Sequence, residues 1–274
     1  MTTTLRPTEP LQRGADGALS RRYQVCVNSR PVGAVSLSTD SSFGPSAAVI
    51  HDLHVEEPDR GRGRGTVAAL AAEEVARGWG CARIGIDVPA DAAAALRLAT
   101  TLGYLHRNRR MVKPLDTTAP ELPAGSLARP MTDAEYGPWL AAGTADYAQD
   151  WIDRGVPAAD ALAKSERDHA AGLPQGVSTP GTRISVLEHE GARVGTLWLA
   201  LAREPAFVYD VLVDEDRRGR GHGRTLMLLA EAQSIAAGKQ ALGLNVFAGN
   251  TPAERLYASL GYVTTSYSLY KELV

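Results

Sequence analysis

Apolar residues in this chain follow two rhythms in turn. Short stretches with every second residue apolar have the period of a half-buried strand, and longer stretches show the three-to-four spacing of a helix face. In the first part this predicts strands over Thr3–Pro7, Arg22–Val27, Val32–Leu37 and Ala47–Val55, with a Ser/Asp/Gly/Pro hairpin over Ser38–Ser46. A helix over Thr66–Arg77 follows, ended by Gly78-Trp79-Gly80, then strand Cys81–Val88, helix Ala90–Leu102 and strand Arg109–Lys113. Residues 114–125, rich in Pro, Thr and Ala, have no period and read as a linker. Beyond it, strand Ser126–Arg129 precedes a capping box of Thr132 and Glu135, and Tyr136, Trp139, Leu140, Gly143, Tyr147 and Trp151 recur at helical spacing. A second helix reads over Pro157–Ala171, then strands Arg183–Glu188, Val194–Leu201 and Phe207–Val213. Leu226–Ala230 opens another helix, Ala241–Phe247 is a strand, and Thr251 with Glu254 reads as a capping box with Pro252 in the first turn.

The two parts are copies of one pattern. Arg60, Gly63 and Gly65 match Arg218, Gly221 and Gly223, and Leu102-Gly103-Tyr104 matches Leu260-Gly261-Tyr262, all at an offset of 158 (218 − 60 and 260 − 102). Val32-Gly33 matches Val194-Gly195 at an offset four residues larger, which puts one length change in a hairpin. Chance glycine–arginine runs do not keep register with a separate Leu-Gly-Tyr. The expected organisation is a first copy over 1–113, a linker over 114–125 and a second copy over 126–274. Each copy is an α/β (α+β) domain with a twisted mixed sheet flanked by helices.

Candidate chemistry centres on the stretch after Phe207–Val213, where Gly219, Gly221 and Gly223 alternate with Arg218, Arg220, His222 and Arg224 before Thr225. Alternate glycines let several amides point into one hollow, and at a helix N-terminus such a hollow suits phosphate. The dinucleotide fingerprint is excluded, because three residues after Gly221 and Gly223 stand Arg224 and Leu226, and no Gly-Lys-Ser/Thr occurs for a Walker loop. The stretch resembles the acyl-CoA loop of the GNAT acetyltransferases, Gln/Arg-x-x-Gly-x-Gly/Ala, here Arg218-x-x-Gly221-x-Gly223. Asn250-x-x-Ala253-x-x-Leu256-Tyr257-x-x-x-Gly261-Tyr262 is similar to that family's second signature.

The resemblance implies an N-acetyltransferase that uses acetyl-CoA on a primary amine of a small molecule or peptide. It implies that the loop amides of 218–225 hold the CoA pyrophosphate, that Val211, Leu212 and Val213 pair with the pantetheine amides, that Asn250 contacts the pantetheine arm, and that Tyr257 is the acid for the leaving thiolate. It also implies that the two helices after Thr132 roof the acceptor cleft, where Tyr147, Trp151 and Tyr209 are candidate contacts. The family's base position, six residues before Val213, holds Phe207, a departure that leaves Glu204 and Asp210 as candidates acting through water, or an amine that arrives already deprotonated. By the period-two rule Tyr209 shares the face of Phe207 and Asp210 takes the opposite one. In the first copy the offset puts Ala99 at the tyrosine and Ala92 at the asparagine, and the two-helix roof is missing, so that copy reads as degenerate. Its loop, Val55, Arg60, Gly61, Gly63, Arg64, Gly65 and Thr66, keeps the phosphate-binding form, which leaves a second CoA site and a structural relic both open. A non-catalytic acyl-CoA sensor or scaffold is the competing class.

Composition sets the outer limits. The formal charge of −2 argues against nucleic acid as a partner, and no apolar run is long enough for a membrane span. Cys26 and Cys81 alone make neither a disulfide framework nor a metal site, and a cytoplasmic protein is expected, monomeric as an internal pseudo-dimer or homodimeric. Charge is uneven: residues 1–120 carry 15 Lys/Arg against 12 Asp/Glu, and residues 121–274 carry 14 against 19. The roof segment Asp133–Ala170 holds eight carboxylates against three basic residues, a rim that attracts a cationic amine.

Overall fold

The computed structural model describes residues 2–40, 42–43 and 46–273, so residues 41, 44 and 45 of the hairpin expected over Ser38–Ser46 lie outside the described residues. In chain order the elements are β1 (Thr3–Pro7), β2 (Gln12–Arg13), β3 (Leu19–Val27), β4 (Arg30–Thr39), β5 (Ala47–Val55), α1 (Arg64–Gly78), β6 (Arg83–Pro89), α2 (Ala93–Thr101) and β7 (Leu105–Pro114). Then come β8 (Ser126–Pro130), α3 (Asp133–Ile152), α4 (Ala158–Gly172), β9 (Thr182–His189), β10 (Ala192–Ala200), β11 (Ala206–Val213), α5 (His222–Ala236), β12 (Ala241–Phe247), α6 (Thr251–Ser259) and β13 (Val263–Glu272). This is the mixed α/β architecture expected from the sequence.

The chain folds into two compact units, residues 1–108 with 266–274, and residues 109–265. Each unit therefore takes its last strand from the other sequence half. In the first unit the order is β1-β3-β4-β5-β6, and Ser266–Glu272 of β13 pairs antiparallel along the whole of β6. In the second the order is β7-β12-β11-β10-β9-β8. There Leu115 donates its N–H to Gln240, and Leu115 and Leu122 of the connecting segment pack on the core formed by Met111, Leu197, Leu226 and Leu244.

The same lock secures both incoming strands. Glu73 on α1 and Glu231 on α5 are buried, 1% and 4% exposed. Lys271 Nζ lies 2.8 Å from Glu73, and Lys113 Nζ lies 2.8 Å from Glu231. Tyr104 and Tyr262 complete the two sets; burial first, and then the facing carboxylate, pushes each phenol up, so both stay protonated. All three positions repeat at the 158-residue offset (231 − 73, 271 − 113 and 262 − 104). A carboxylate taken out of water in this way is tolerable only with its cation in place.

In both units one parallel pair is short. β11 pairs with β12 only over Ala206–Val208, ending at Val208↔Leu244, and β5 pairs with β6 only over Ala47–Ile50, ending at Ile50↔Ile86. A bulge sits just past each end. On β10 and β11, Trp198↔Asp210 is followed by Leu199↔Val208, which makes Tyr209 the extra residue; on β4 and β5, His51 is the extra residue between Ser36↔Asp52 and Leu37↔Ile50. The bulge corrects the face assignment for β11. Trp198 and Ala200 share a face of β10 and pair with Asp210 and Phe207, so Asp210 stands on the Phe207 face after all.

That face is covered by α3 and α4. Trp198 packs edge-on against Trp139 of α3 and beside the His169 ring of α4, at centroid distances of 5.9 and 5.4 Å. The start of α3 is tied to the sheet by Arg129 on β8, which donates to both Glu135 oxygens and to Glu188. Glu135 in turn accepts from the Thr132 N–H at 2.9 Å, the expected capping contact, and the Arg129 bonds hold its carboxyl well below the usual range.

The exchanged strands generate a stability prediction. Lys271→Met leaves the Glu73 charge buried and unpaired and is expected to cost about 3–5 kcal/mol in urea unfolding. Replacing both partners, Glu73→Leu with Lys271→Met, is expected to recover most of that loss. A single variant that loses under about 1 kcal/mol would show that the pair does not secure the strand.

Candidate active site

The site forms where β11 and β12 part. Beyond Val208 the row of β11 backbone groups on that side has no strand opposite, although the strand runs on to Val213. A buried backbone edge of this kind calls for a partner. Val211, Leu212 and Val213 line it and are all half-buried.

The loop then turns on two glycines in the left-handed region, Gly219 (φ 76°) and Gly221 (φ 88°), and Gly221 is the N-cap of α5. Open space surrounds the position a Cβ would take at either, so the loop presents backbone to a ligand. Gly223 serves another end: its Cβ position would lie 3.3 Å from Leu256 on α6, so its smallness lets two helices approach. The helix starts at His222, inside the glycine run and earlier than the Leu226 start expected from apolar spacing. The opening amides of His222 and Gly223 thus have no carbonyl one turn back, the arrangement that receives an anion.

The side chains around the loop brace it. Arg218 Nε donates to the Val213 carbonyl at 3.3 Å, and Arg224 Nη2 donates to Ser259 Oγ at 2.6 Å. Arg220 is exposed, and Thr225 is buried with its hydroxyl toward the Gly221 carbonyl. The buried His222 ring lies 5.1 Å from His189; burial, then His189, Arg220 and Arg217, lowers its pKa and keeps it neutral. Asn250 is the N-cap of α6, with Oδ1 accepting from the Ala253 N–H at 3.3 Å. This corrects the expected Thr251–Glu254 capping box, since Thr251 is already the first helical residue.

Asp210 stands on β11 just past the parting of the strands, near enough to Tyr257 for its charge to act on the phenol. Burial, and then Asp210, pushes Tyr257 up to about 12. Asp210 is itself pushed up to about 6, mainly by burial, with Asp146 and Asp150 of α3 adding to the rise and the Val211 N–H opposing it. Glu204 stands apart, in the exposed hairpin ahead of β11, and pairs with Lys239 at 3.1 Å.

Aromatic rings surround the Asp210 face. Tyr209, 43% exposed, stacks on buried Trp198 at 4.6 Å, and Phe247 of β12 meets Trp151 at 5.0 Å and Tyr147 at 6.3 Å. Tyr147 also donates to Asp168 at 3.3 Å. Trp198, Phe247 and the charge of Asp146 and Asp150 on Asp210 are absent from a reading of motifs alone. Their alternation on β10 and β12, and the i, i+4 spacing of Asp146 with Asp150 and Tyr147 with Trp151, were the available signals.

The loop in the first unit has the same backbone, with Gly61 at φ 69°, Gly63 at φ 72° as the N-cap of α1, and Arg60 Nε donating to the Val55 carbonyl at 2.7 Å. Gly65 meets Leu98 at 3.3 Å, as Gly223 meets Leu256, and half-buried Thr66 follows. At the His222 position stands Arg64, buried and ion-paired with the buried Asp59, which Arg30 also grips at 2.8 Å. Ala99 is buried at the Tyr257 position. No group of His, Cys, Asp and Glu among the described residues is arranged to hold a metal, and none of the described helices is long and apolar enough to cross a membrane.

Comparison with known proteins places this geometry. The sequence profile of the Acetyltransferase (GNAT) family matches twice, over residues 4–104 and 145–262. A mycothiol acetyltransferase of Thermobispora bispora is 32% identical over 73% of this chain and 68% of its own length. One of Streptomyces griseus is 28% identical over 91% and 78%. An uncharacterized N-acetyltransferase of Bacillus subtilis, YycN, is 30% identical over 53% of this chain and 96% of its own. Among solved structures, a GCN5-related N-acetyltransferase from Sphaerobacter thermophilus superposes with a TM-score of 0.56 at 20% identity, covering 92% of this chain and 80% of that one. A tandem GNAT protein from the clavulanic acid biosynthesis pathway gives 0.52 at 20% identity over 96% and 85%; at such identity these two likenesses speak for the fold alone. With two matches that together span most of its length, the chain belongs to the GNAT family of acetyltransferases.

Proposed function

We propose that residues 109–265 transfer an acetyl group from acetyl-CoA to a primary amine, with Asp210 as base and Tyr257 as acid. The observation that carries this reading is the parting of β11 and β12 beyond Val208, with Asp210 just past it, its charge acting on Tyr257, and the glycine loop at the strand's end. The chain fits acetyl-CoA: Gly219 and Gly221 leave the loop open, the first α5 amides are free to receive an anion, and the free edge of Val211–Val213 offers hydrogen bonds to an extended amide chain. Bound there, acetyl-CoA supplies an activated thioester.

The roles of the chain's own groups follow from their protonation. An amine attacks only when neutral, so the ammonium that arrives must lose a proton. Asp210, with a pKa of about 6, is ionised at neutral pH yet basic enough to take that proton directly or through a water. Tyr257, at about 12, keeps its proton until charge builds on the departing thiolate, to which it donates. Asp146 draws the cation in, while Asp150 is paired with Arg154 at 3.0 Å. The first unit has Ala99 for the acid and lacks the roof, and at the His222 position its Arg64 is paired with Asp59; its role is structural.

A second reading narrows the acceptor to a mycothiol-type amine. It is favoured by relatives of that name that align over 73–91% of the chain, across both copies. Assaying thiol release over an amine panel separates this reading from the broader one and from an acyl-CoA-binding scaffold, which releases none.

Three outcomes are expected. Gly221→Asp places a Cβ and a negative charge where the pyrophosphate approaches, and calorimetry should find CoA binding abolished with the circular dichroism spectrum kept. For Asp210 the active form is the ionised one, so kcat/KM is full above its pKa and falls about tenfold per pH unit below about 6. Asp210→Asn should lower kcat by roughly 10²–10⁴-fold and erase that acid limb; a limb that survives assigns the base elsewhere. Tyr257→Phe keeps the ring but not the proton, and should lower kcat by about 10²–10⁴-fold while acetyl-CoA affinity stays within a few-fold. Wild-type turnover in that variant, with chemistry limiting, would exclude the tyrosine as acid.

A further inference from the structure

Phe207, which occupies the position where the base was expected, is the centre of a different arrangement. Its ring lies across β12 at Gly243, whose Cβ position would be 3.4 Å from the ring, so the absence of a side chain there makes room for it. Two guanidinium groups converge on this one buried ring. Arg203, from the hairpin ahead of β11, sits 4.6 Å from the centroid, and Arg110, from β7, sits 5.8 Å away. Arg203 also donates to the Tyr209 hydroxyl at 3.2 Å, which fixes it beside the cleft. Among the described residues neither Arg110 nor Arg203 pairs with a carboxylate, and the nearby Glu204 is taken by Lys239.

Two cations gathered at one ring repel each other, and an aromatic face offsets only part of that. A planar guanidinium fork is suited to the oxygens of a carboxylate or phosphate. The opposite charge lies along the same strand face: Phe207 shares that face with Asp210, and Asp146 and Asp150 act on Asp210 from α3. Because of the bulge the two positions face Ala200 and Trp198, two strand steps or about 7 Å apart. Asp150 is paired with Arg154 at 3.0 Å, so the negative end of the cleft rests on Asp210 and Asp146, and the positive end on Arg110 and Arg203. The first unit has none of this, with Val49 and Ser268 at the positions of Phe207 and Arg110, although it keeps Gly85 at the position of Gly243. The device belongs to the second unit, as the roof does.

From this polarity we infer that the acceptor is an amine bearing an oxyanion, with its ammonium at Asp210 and its carboxylate or phosphate held by Arg110 and Arg203. The inference rests on the acetyl-transfer reading of the same cleft. It selects acceptors that carry the ammonium and the oxyanion at opposite ends of a short chain.

The test compares matched acceptors that differ only in the anion: triglycine against triglycinamide, and aminohexyl phosphate against aminohexanol. The wild-type chain is expected to favour the anionic member of at least one pair by tenfold or more in kcat/KM, through KM, and the pair that shows the larger ratio tells carboxylate from phosphate. Arg110→Ala and Arg203→Ala should each bring the ratio toward one, and Arg110→Lys should restore part of it. Turnover of both members at equal efficiency by the wild type overturns the inference and leaves acetyl transfer standing. If no amine releases thiol, acetyl transfer itself fails. Calorimetric binding of triglycine and aminohexyl phosphate then decides the inference, supported by a loss of at least tenfold in the arginine variants and overturned by equal binding.

Discussion

The constraint on which the second unit depends is an unfinished sheet. β11 and β12 pair for three residues and then part, which leaves a row of backbone polar groups facing a gap inside the domain. Unpaired backbone is costly away from water, so the gap persists only because the surroundings hold the strands open. The bulge at Tyr209 twists β11 away from its neighbour, and the packing of Trp198 against α3 and α4 fixes the other side of that strand pair. The groups proposed for the chemistry gather at the opening. The glycine loop follows the free end of β11, Tyr257 projects from the helix after β12, and the bulge itself turns Asp210 into the cleft. Had β11 kept a strict two-residue alternation, Asp210 would lie on the α5 side, in the core with Leu197 and Leu226.

The second organising feature is the exchange of last strands. Each copy of the repeat contains a buried glutamate, a tyrosine and a lysine, but no copy satisfies its own glutamate. Lys113 follows the first copy's Tyr104 in sequence and neutralises Glu231; Lys271 follows the second copy's Tyr262 and neutralises Glu73. Because an isolated buried carboxylate is penalised by several kcal/mol, the two copies are tied energetically as well as covalently.

Much of this was legible in the sequence, for reasons tied to particular residues. The 158-residue register, the loop at Gly219–Gly223 and the pairing of Asn250 with Tyr257 are local patterns, and local patterns survive in sequence. The face of Asp210 was not legible, because period-two reasoning assumes an unbroken register and a single extra residue inverts it. The start of α5 was set too late, since glycines weaken the helix signal in the very turn where they open it. Asn250 was placed outside the cap because Thr251 also suits that role, and only backbone geometry tells them apart. The strand exchange is hidden for a different reason: β7 and β13 are related by the repeat, and either would read as the final strand of either copy. Arg110 and Arg203, far apart in sequence, meet only because Gly243 lets Phe207 lie across β12.

The comparison of the two copies separates what the fold requires from what the chemistry requires. Gly65 against Leu98 and Gly223 against Leu256 have the same spacing, the left-handed glycines recur, and the bulge and the parted strands recur. These are conditions for closing the domain, and both units meet them. The differences fall on groups that contribute little to closure. Tyr257 gives way to Ala99, the aromatic and acidic roof to a short hairpin, and the neutral His222 to Arg64, which turns inward to Asp59. An arginine at the first turn of a helix opposes the dipole unless a carboxylate accompanies it, and the buried Asp59 supplies that charge. Where the second unit has a neutral histidine at the start of its helix, the first has an arginine together with the carboxylate that neutralises it.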